Sequence, residues 1–286
     1  MADEFHEGLA LDAVLRRFEA RNGLTRSNVR DPEQERHAHP IDLACNLGSE
    51  LIALEHTGIE AFPGQLRSNA HVRALLDPIP SSLSGIAAPG ECFQLMVHHD
   101  ALDGLSNSDV PKVRAALTSW IRSTAPKLVA TRYGDRHSLC WDEPAGVPFK
   151  VAFNRFSDAM AMGGRVYYVR VAPADVEAGR QTRFETMCEK KFDKLAAWKR
   201  GYGARTVLVL EDTDIALTSE PLVYSALVQA EQSKSNNPDE VYLLNATAEP
   251  DWYVTCLRRY GHTYLTDEAE RFQPVAASAL VALTNR

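Results

Sequence analysis

The stretch HPIDLACNLGSELIALEHTGIE, residues 39–60, contains two short apolar segments on either side of Gly48-Ser49. A Gly-Ser pair suits a two-residue hairpin connection, because glycine accepts the positive φ that the first central position of a type II′ turn requires. A two-residue turn also sets the register of the two strands that it joins. This register predicts that Asp42 faces Glu55 across the hairpin.

Side chains alternate between the two surfaces of a strand, so the predicted hairpin has two different faces. One face is apolar and can pack against a core; its residues are Leu43, Cys45, Ile52 and Leu54. The opposite face combines acids with small residues; it carries Asp42, Ala44, Ala53, Glu55 and Thr57. The small side chains leave room above the two carboxylates.

The two acids indicate a metal site. Like charges directly opposite one another destabilise a sheet, and neighbouring carboxylates ionise together at low cost only when a cation lies between them. A hard, oxygen-seeking ion such as Mg²⁺ or Mn²⁺ would supply that charge. Asp42 and Glu55 are therefore candidate metal ligands. In the alternative interpretation the register differs by one residue, and each acid is only solvated near a strand end.

The composition of the chain excludes several classes of protein. Its 286 residues are enough for a substantial core, and 45% hydrophobic and 24% charged residues are typical of globular proteins. A formal net charge of −7 argues against indiscriminate binding of nucleic acid through a basic surface. The same net charge is compatible with an enzyme that has a local basic groove. The five cysteines are scattered without a CxxC pair, which favours neither a disulfide framework nor a zinc knuckle. Without a signal peptide or a membrane-length apolar run, we expect a reduced, cytoplasmic protein with no membrane partner.

Hydrophobic periodicity in the rest of the chain predicts alternating helices and strands. The predicted helices span residues 9–21, 65–76, 109–124, 183–200 and 219–232. The predicted strands span residues 92–99, 149–156, 163–173, 205–212 and 240–246. Gly163 and Gly164 indicate a hairpin turn between two of these strands, and the polar residues 26–40 indicate a loop. This order predicts a mixed α/β sheet flanked by helices in a single domain, 1–286.

The predicted helix 183–200 carries a lysine where a core residue is expected. At 100° per residue, Lys191 lies within about 20° of Phe184, at the centre of the apolar stripe, and Lys194 lies at its edge. An inward-pointing ammonium needs an anion or a route to water. It could point toward the acidic face of the hairpin and hold a water molecule or a phosphate oxygen. Alternatively, the side chain could run along the sheet and place its ammonium in solvent.

Together these features resemble the PD-(D/E)XK nuclease superfamily. Pro40-Ile41-Asp42, then twelve residues, then Glu55-His56-Thr57 is similar to the family signature of an acid after a proline followed by Glu-x-Lys. The family core runs helix, three strands, helix, strand. The resemblance therefore implies a restriction-endonuclease-like mixed central sheet flanked by helices, with an inserted helix and extra C-terminal elements. Its core would span about 9–62 and 149–245, with an insertion at about 65–148.

The resemblance also implies a set of site residues. Asp42 and Glu55 would bind Mg²⁺ or Mn²⁺, with the backbone carbonyl of His56 as a further metal ligand. Thr57 stands where the signature lysine would be, and its hydroxyl could orient water. Glu19, on the first helix, is a candidate further acid.

The position of the signature lysine separates two functions. Some family members carry that lysine on the second core helix, where Lys191, helped by Lys194, would take its role. The leading hypothesis is then a Mg²⁺-dependent nuclease that acts on DNA in preference to RNA, with homodimer formation as a further expectation. The alternative is a catalytically inactive binding or regulatory module of the same fold, which the missing lysine favours.

Other patterns in the chain carry weaker signals. The histidines form two groups, His37 with His39 and His98 with His99, but neither group has a third ligand at a familiar zinc spacing. Four arginines could form a basic edge beside Tyr167 and Tyr168, or simply a solvated face; they are Arg165, Arg170, Arg180 and Arg183.

Overall fold

The computed structural model describes residues 6–60, 62, 64–132, 140–158, 163–174, 176–212, 219–232, 234–246, 251–259, 262–263 and 272–284. The chain divides into two compact units: Asp3–Pro63 together with Glu177–Arg286, and Gly64–Val176. We call them the first and the second unit.

The described residues form six α-helices and thirteen strands. The helices are α1 (Glu7–Asn22), α2 (Gln65–Leu76), α3 (Pro78–Ser82), α4 (Val110–Thr124), α5 (Val176–Tyr202) and α6 (Glu220–Gln232). The strands of the first unit are β1 (Arg26–Arg30), β2 (Leu43–Leu47), β3 (Glu50–Ile59), β9 (Arg205–Asp212), β10 (Glu240–Asn245), β11 (Asp251–Arg259), β12 (His262–Thr263) and β13 (Phe272–Ala276). The strands of the second unit are β4 (Cys92–His98), β5 (Thr131–Arg132), β6 (Trp141–Asp142), β7 (Val151–Ser157) and β8 (Arg165–Val171).

An eight-stranded mixed sheet organises the first unit. Its order is β1-β2-β3-β9-β10-β11-β12, with β13 also paired to β11. Strands β3, β9 and β10 are parallel neighbours, and the other neighbouring pairs are antiparallel. Apolar residues of α5 and α6 cover one face, and those of α1 cover the other. The predicted mixed α/β class with helices flanking the sheet is therefore confirmed, and the described strands close no barrel.

The hairpin has the register that its turn predicts. The ladder runs from Leu47 opposite Glu50 to Leu43 opposite Leu54, and Gly48 has a φ of 60°. Its two faces are also as predicted. The apolar residues pack against α1, and Ala44 and Ala53 lie in the core under α5 and α6. The ladder ends one position short of the predicted acid pair, so Asp42 lies just before β2.

The predicted first helix is confirmed, but the polar loop after it is partly wrong. Helix α1 buries its apolar face and ends at Asn22; the next residue, Gly23, caps the helix with a left-handed φ of 63°. Residues Arg26–Arg30 of the predicted loop form β1, which pairs antiparallel with β2. Strand β1 lies at the edge of the sheet and is mostly exposed, so it has no apolar alternation to detect.

The second unit has its own sheet, with the order β5-β7-β4-β8 and β6 paired to β7. Helices α2, α3 and α4 contribute to the core on one face of this sheet. The predicted hairpin between residues 149–156 and 163–173 is wrong, because β4 lies between β7 and β8 and pairs with both. The apolar side of β4, buried in this core, suits the central position.

This pairing affects the boundaries of the insertion. The second unit extends to Val176, beyond the predicted end at about 148, because β7 and β8 belong to its sheet. Besides α4, the inserted segment carries α2, at the predicted residues 65–76, and the short α3, which begins at Pro78. None of the described helices is both long enough and apolar enough to cross a membrane.

Candidate functional site

The hairpin brings two buried acids together beneath α5. Asp42 is 3% exposed and Glu55 is fully buried. The backbone N–H of His56 donates a hydrogen bond of 2.7 Å to Oδ2 of Asp42. This bond orients the Asp42 carboxylate toward β3, the strand that carries Glu55, although the two residues are not partners in the ladder.

Helix α5 contributes two lysines to these acids. Nζ of Lys191 lies 3.2 Å from Oδ2 of Asp42 and also donates a hydrogen bond to Oε2 of Glu55. Nζ of Lys194 lies 2.9 Å from Oε1 of Glu55. Ala44 and Ala53 lie in the core shared with α5. Their small side chains leave space beside the two carboxylates, as the sequence predicted. The structure thus brings together four of the predicted site residues, with the Lys191 ammonium in contact with both acids. We call this group the acid cluster; it consists of Asp42, Glu55, Lys191 and Lys194.

The cluster has an uneven distribution of charge. Burial and the neighbouring Asp42 charge raise the pKa of Glu55 to about 7, against the opposing effect of the two lysines. Burial alone would also raise the pKa of Asp42, but Lys191 and the His56 N–H outweigh it and hold that pKa below its ordinary value. Burial would lower the pKa of Lys191, but both carboxylates raise it. Asp42 and Lys191 are therefore ionised at neutral pH, and Glu55 exchanges a proton near neutrality.

The two residues that follow Glu55 take different directions. Thr57 is half-buried on β3, on the same side of the strand as Glu55. Within the described part of the chain, its hydroxyl makes no hydrogen bond to the acids or the lysines. The side chain of His56 lies on the opposite side, so only the backbone of His56 reaches the acid cluster.

A buried network that was not predicted from the sequence holds His56 in place. Nε2 of His56 lies 2.8 Å from Oε2 of Glu211, and Nδ1 of His6 lies 2.9 Å from Oε1 of the same carboxylate. Burial would raise the pKa of the fully buried Glu211, but hydrogen bonds to His56 and His6 lower it to about 2. One signal was visible in the sequence: alternation along β9 places Glu211 on the same face as Val207 and Val209.

The further acid expected on the first helix is not part of the cluster. Oε1 of Glu19 lies 3.2 Å from Nε of Arg26 and accepts a hydrogen bond of 2.9 Å from the Arg26 backbone N–H. Helix α1 packs on the face of the sheet that is opposite α5. The expectation for Glu19 is therefore wrong, because the sheet separates this helix from the lysines.

The cluster offers the donor atoms that Mg²⁺ or Mn²⁺ prefers, namely carboxylate oxygens. Asp42 and Glu55 contact the same ammonium, so their oxygens are close enough to share one cation. Oε1 of Glu55 is buried and, among the described residues, accepts no hydrogen bond of normal geometry, although Lys194 lies beside it. The residues therefore fit a hard divalent cation.

Comparisons of the chain with protein-family models, with curated proteins and with solved structures gave no significant match.

Proposed function

We propose that the chain is a metal-dependent nuclease of restriction-endonuclease-like fold that hydrolyses phosphodiester bonds in nucleic acid, DNA in preference to RNA. One observation carries this proposal: the Lys191 ammonium contacts two buried acids, Asp42 just before β2 and Glu55 on β3. The contact brings a lysine from a distant part of the sequence onto the two acids of one hairpin, a combination that phosphate chemistry uses.

The order of elements in the first unit supports the fold part of the proposal. Without the second unit, the chain runs α1, β1, β2, β3, α5, β9. This is the helix, three strands, helix, strand order of the PD-(D/E)XK core. Asp42 precedes the second of these strands and Glu55 lies on the third, which are the places the signature gives to its acids.

Each residue of the cluster has a role in this reaction. Asp42 and Glu55 would hold Mg²⁺ or Mn²⁺, with the His56 backbone carbonyl as a further ligand. When bound, such an ion lowers the pKa of a coordinated water and stabilises the negative charge that develops on the phosphate oxygens. Lys191 would position the attacking water or neutralise a phosphate oxygen, and Lys194 would help to balance the charge of Glu55. Thr57 offers a hydroxyl that could orient water.

A specific observation also favours a second candidate, an inactive binding or regulatory module of the same fold. Lys191 and Lys194 already supply two positive charges against the two acids, so the cluster is neutralised without a metal. Thr57 provides no charge at the signature position. In this case the four residues would serve only to attach α5 to the hairpin.

Cleavage of plasmid DNA separates the two candidates. The purified chain should convert supercoiled DNA to nicked or linear forms with Mg²⁺ or Mn²⁺, and chelation should stop the reaction. Asp42→Asn and Glu55→Gln should each abolish cleavage, and Lys191→Ala should reduce it by roughly 100-fold or more. Lys190→Ala is the matched control, because Lys190 is exposed on the same helix. Full activity in both acid variants would remove these acids from the mechanism.

Calorimetric titration with Mn²⁺ tests the second candidate directly. A nuclease should bind Mn²⁺ at Asp42 and Glu55 at millimolar or lower concentration, and Asp42→Asn should remove the heat of that site. Absence of Mn²⁺ binding by the wild type, combined with absence of cleavage, would favour the inactive module.

A further inference from the structure

We propose that His98, His99 and Asp100 of the second unit bind a divalent transition-metal ion. One nitrogen from each imidazole and one oxygen of the carboxylate all lie within 4.8 Å of one another. In a four-coordinate site with bonds of about 2 Å, the ligand atoms are roughly 3–4 Å apart, so small side-chain rotations bring these donors to a single ion. Across the described ranges, this is the one group of three or more His, Cys, Asp or Glu side chains with such proximity.

The end of β4 explains how consecutive residues converge. Successive side chains on a strand point to opposite faces, but β4 ends at His98 and the next residues turn. The His99 N–H donates to the Val171 carbonyl at 2.9 Å, and the Ala101 N–H donates to the His98 carbonyl at 3.2 Å. Arg170 donates a further hydrogen bond of 2.9 Å to the His99 carbonyl. The backbone that carries the three donors is therefore held by defined hydrogen bonds.

The side chains of His98 and Asp100, the first and last residues of this group, are accessible to solvent. Among the described residues, neither the His98 nor the Asp100 side chain has a hydrogen bond or an ion pair, and both are exposed. The His98 ring stacks on Trp141, with ring centroids 4.2 Å apart and planes inclined by 23°. This contact restricts the orientation of the imidazole but leaves its edge open, where the nitrogens lie.

The donor set indicates the class of ion. Two imidazoles and one carboxylate suit borderline ions such as Zn²⁺, Ni²⁺ or Co²⁺, whereas Mg²⁺ prefers oxygen ligands alone. Three protein ligands leave at least one position for water. This site shares no residue with the acid cluster, so metal binding here is independent of the proposed nuclease reaction.

In the other histidine pair, His37 and His39, the ring nitrogens of His37 already form hydrogen bonds within the chain. The His39 N–H donates a hydrogen bond of 3.0 Å to Nδ1 of His37, and Nε2 of His37 lies 3.2 Å from the Tyr202 hydroxyl. Both ring nitrogens of His37 are thus engaged within the chain. The pair at the end of β4 also has the neighbouring Asp100 as a third ligand.

Calorimetric titration of the full chain with Zn²⁺, in excess Mg²⁺, tests the inference. The wild type should bind one Zn²⁺ per chain, and His98→Ala or Asp100→Asn should weaken binding by at least about tenfold. His39→Ala removes an exposed histidine from the other pair and should leave the affinity unchanged. Unchanged Zn²⁺ affinity in His98→Ala, or no Zn²⁺ binding by the wild type, would overturn the proposal.

Two further measurements locate the bound ion. Zn²⁺ binding should persist in Asp42→Asn/Glu55→Gln, the variant that removes the acid cluster; loss of binding there but not in His98→Ala would place the ion at the hairpin and refute the inference. Co²⁺ should give a visible absorption band in the wild type that is lost in His98→Ala. An identical Co²⁺ spectrum in that variant would also refute it. Failure of DNA cleavage bears on neither result.

Discussion

The backbone N–H of His56 donates a hydrogen bond of 2.7 Å to Oδ2 of Asp42. Strand β3 therefore orients Asp42, although Asp42 lies just beyond the last residue pair of the β2–β3 ladder. His56 is held in turn by the buried Glu211 on the opposite face of the sheet. The acid cluster therefore depends on contacts on both faces of one strand. The same geometry leads to four predictions besides the tests described above.

Removal of Lys191 should destabilise the first unit. Loss of one partner from a buried ion pair costs about 3–5 kcal/mol. Because the Lys191 side chain is 20% exposed and Lys194 remains beside Glu55, we expect Lys191→Ala to cost about 2 kcal/mol. Urea denaturation at neutral pH measures the loss. Lys190→Ala should change the free energy of unfolding by less than about 0.5 kcal/mol, and equal stability of the two variants would contradict the prediction.

The raised pKa of Glu55 should make stability fall as the pH rises. The folded chain keeps the Glu55 proton up to a pKa of about 7, whereas the ordinary value is 4.5. Between these values the unfolded state binds fewer protons, so the contribution of Glu55 to stability decreases with pH and levels off above 7. Glu55→Gln cannot titrate, so its stability relative to the wild type should increase over this interval. A difference that does not vary with pH would contradict the assigned shift.

Glu211 should show the opposite pH dependence. Its pKa is lowered to about 2 from 4.5, so its contribution to stability is present above 4.5 and is lost as the pH falls toward 2. Glu211→Gln should destabilise the chain at neutral pH by about 1–3 kcal/mol, because it removes a buried charge-assisted hydrogen bond. Thermal denaturation of both proteins across this range measures the difference, which should shrink in acid. Glu35→Gln, at an exposed acid, is the control and should show neither effect.

A larger side chain under α5 should separate the lysines from the acids. Ala53 is fully buried in the core between the sheet and α5. We expect Ala53→Leu to cost about 1–3 kcal/mol by overpacking and to weaken Mn²⁺ binding, because any shift of the backbone near Glu55 alters the cluster. Denaturation and Mn²⁺ calorimetry check the two effects. Ala38→Leu, at an exposed position, should leave both quantities unchanged.

Local patterns in the sequence predicted much of the candidate cluster. The positive φ of Gly48 and the two-residue turn defined the register of β2 and β3, and helical periodicity directed Lys191 toward the sheet. Both features follow from local backbone geometry. The direction of the side chains repeats every two residues in a strand and every 3.6 residues in a helix.

Strand order and the contacts between distant residues were decided only by the tertiary structure. The polar β1 is recognisable as a strand only through its pairing with β2. The position of β4 between β7 and β8 could not be predicted either, because the sequence of one strand does not specify its hydrogen-bonded neighbours. The Glu211 network likewise joins residues from three separate segments. The sequence alone determined which side chains share a face of one element, since that follows from local backbone geometry. Only the folded chain determined which faces meet, because that depends on the burial of surfaces far apart in the sequence.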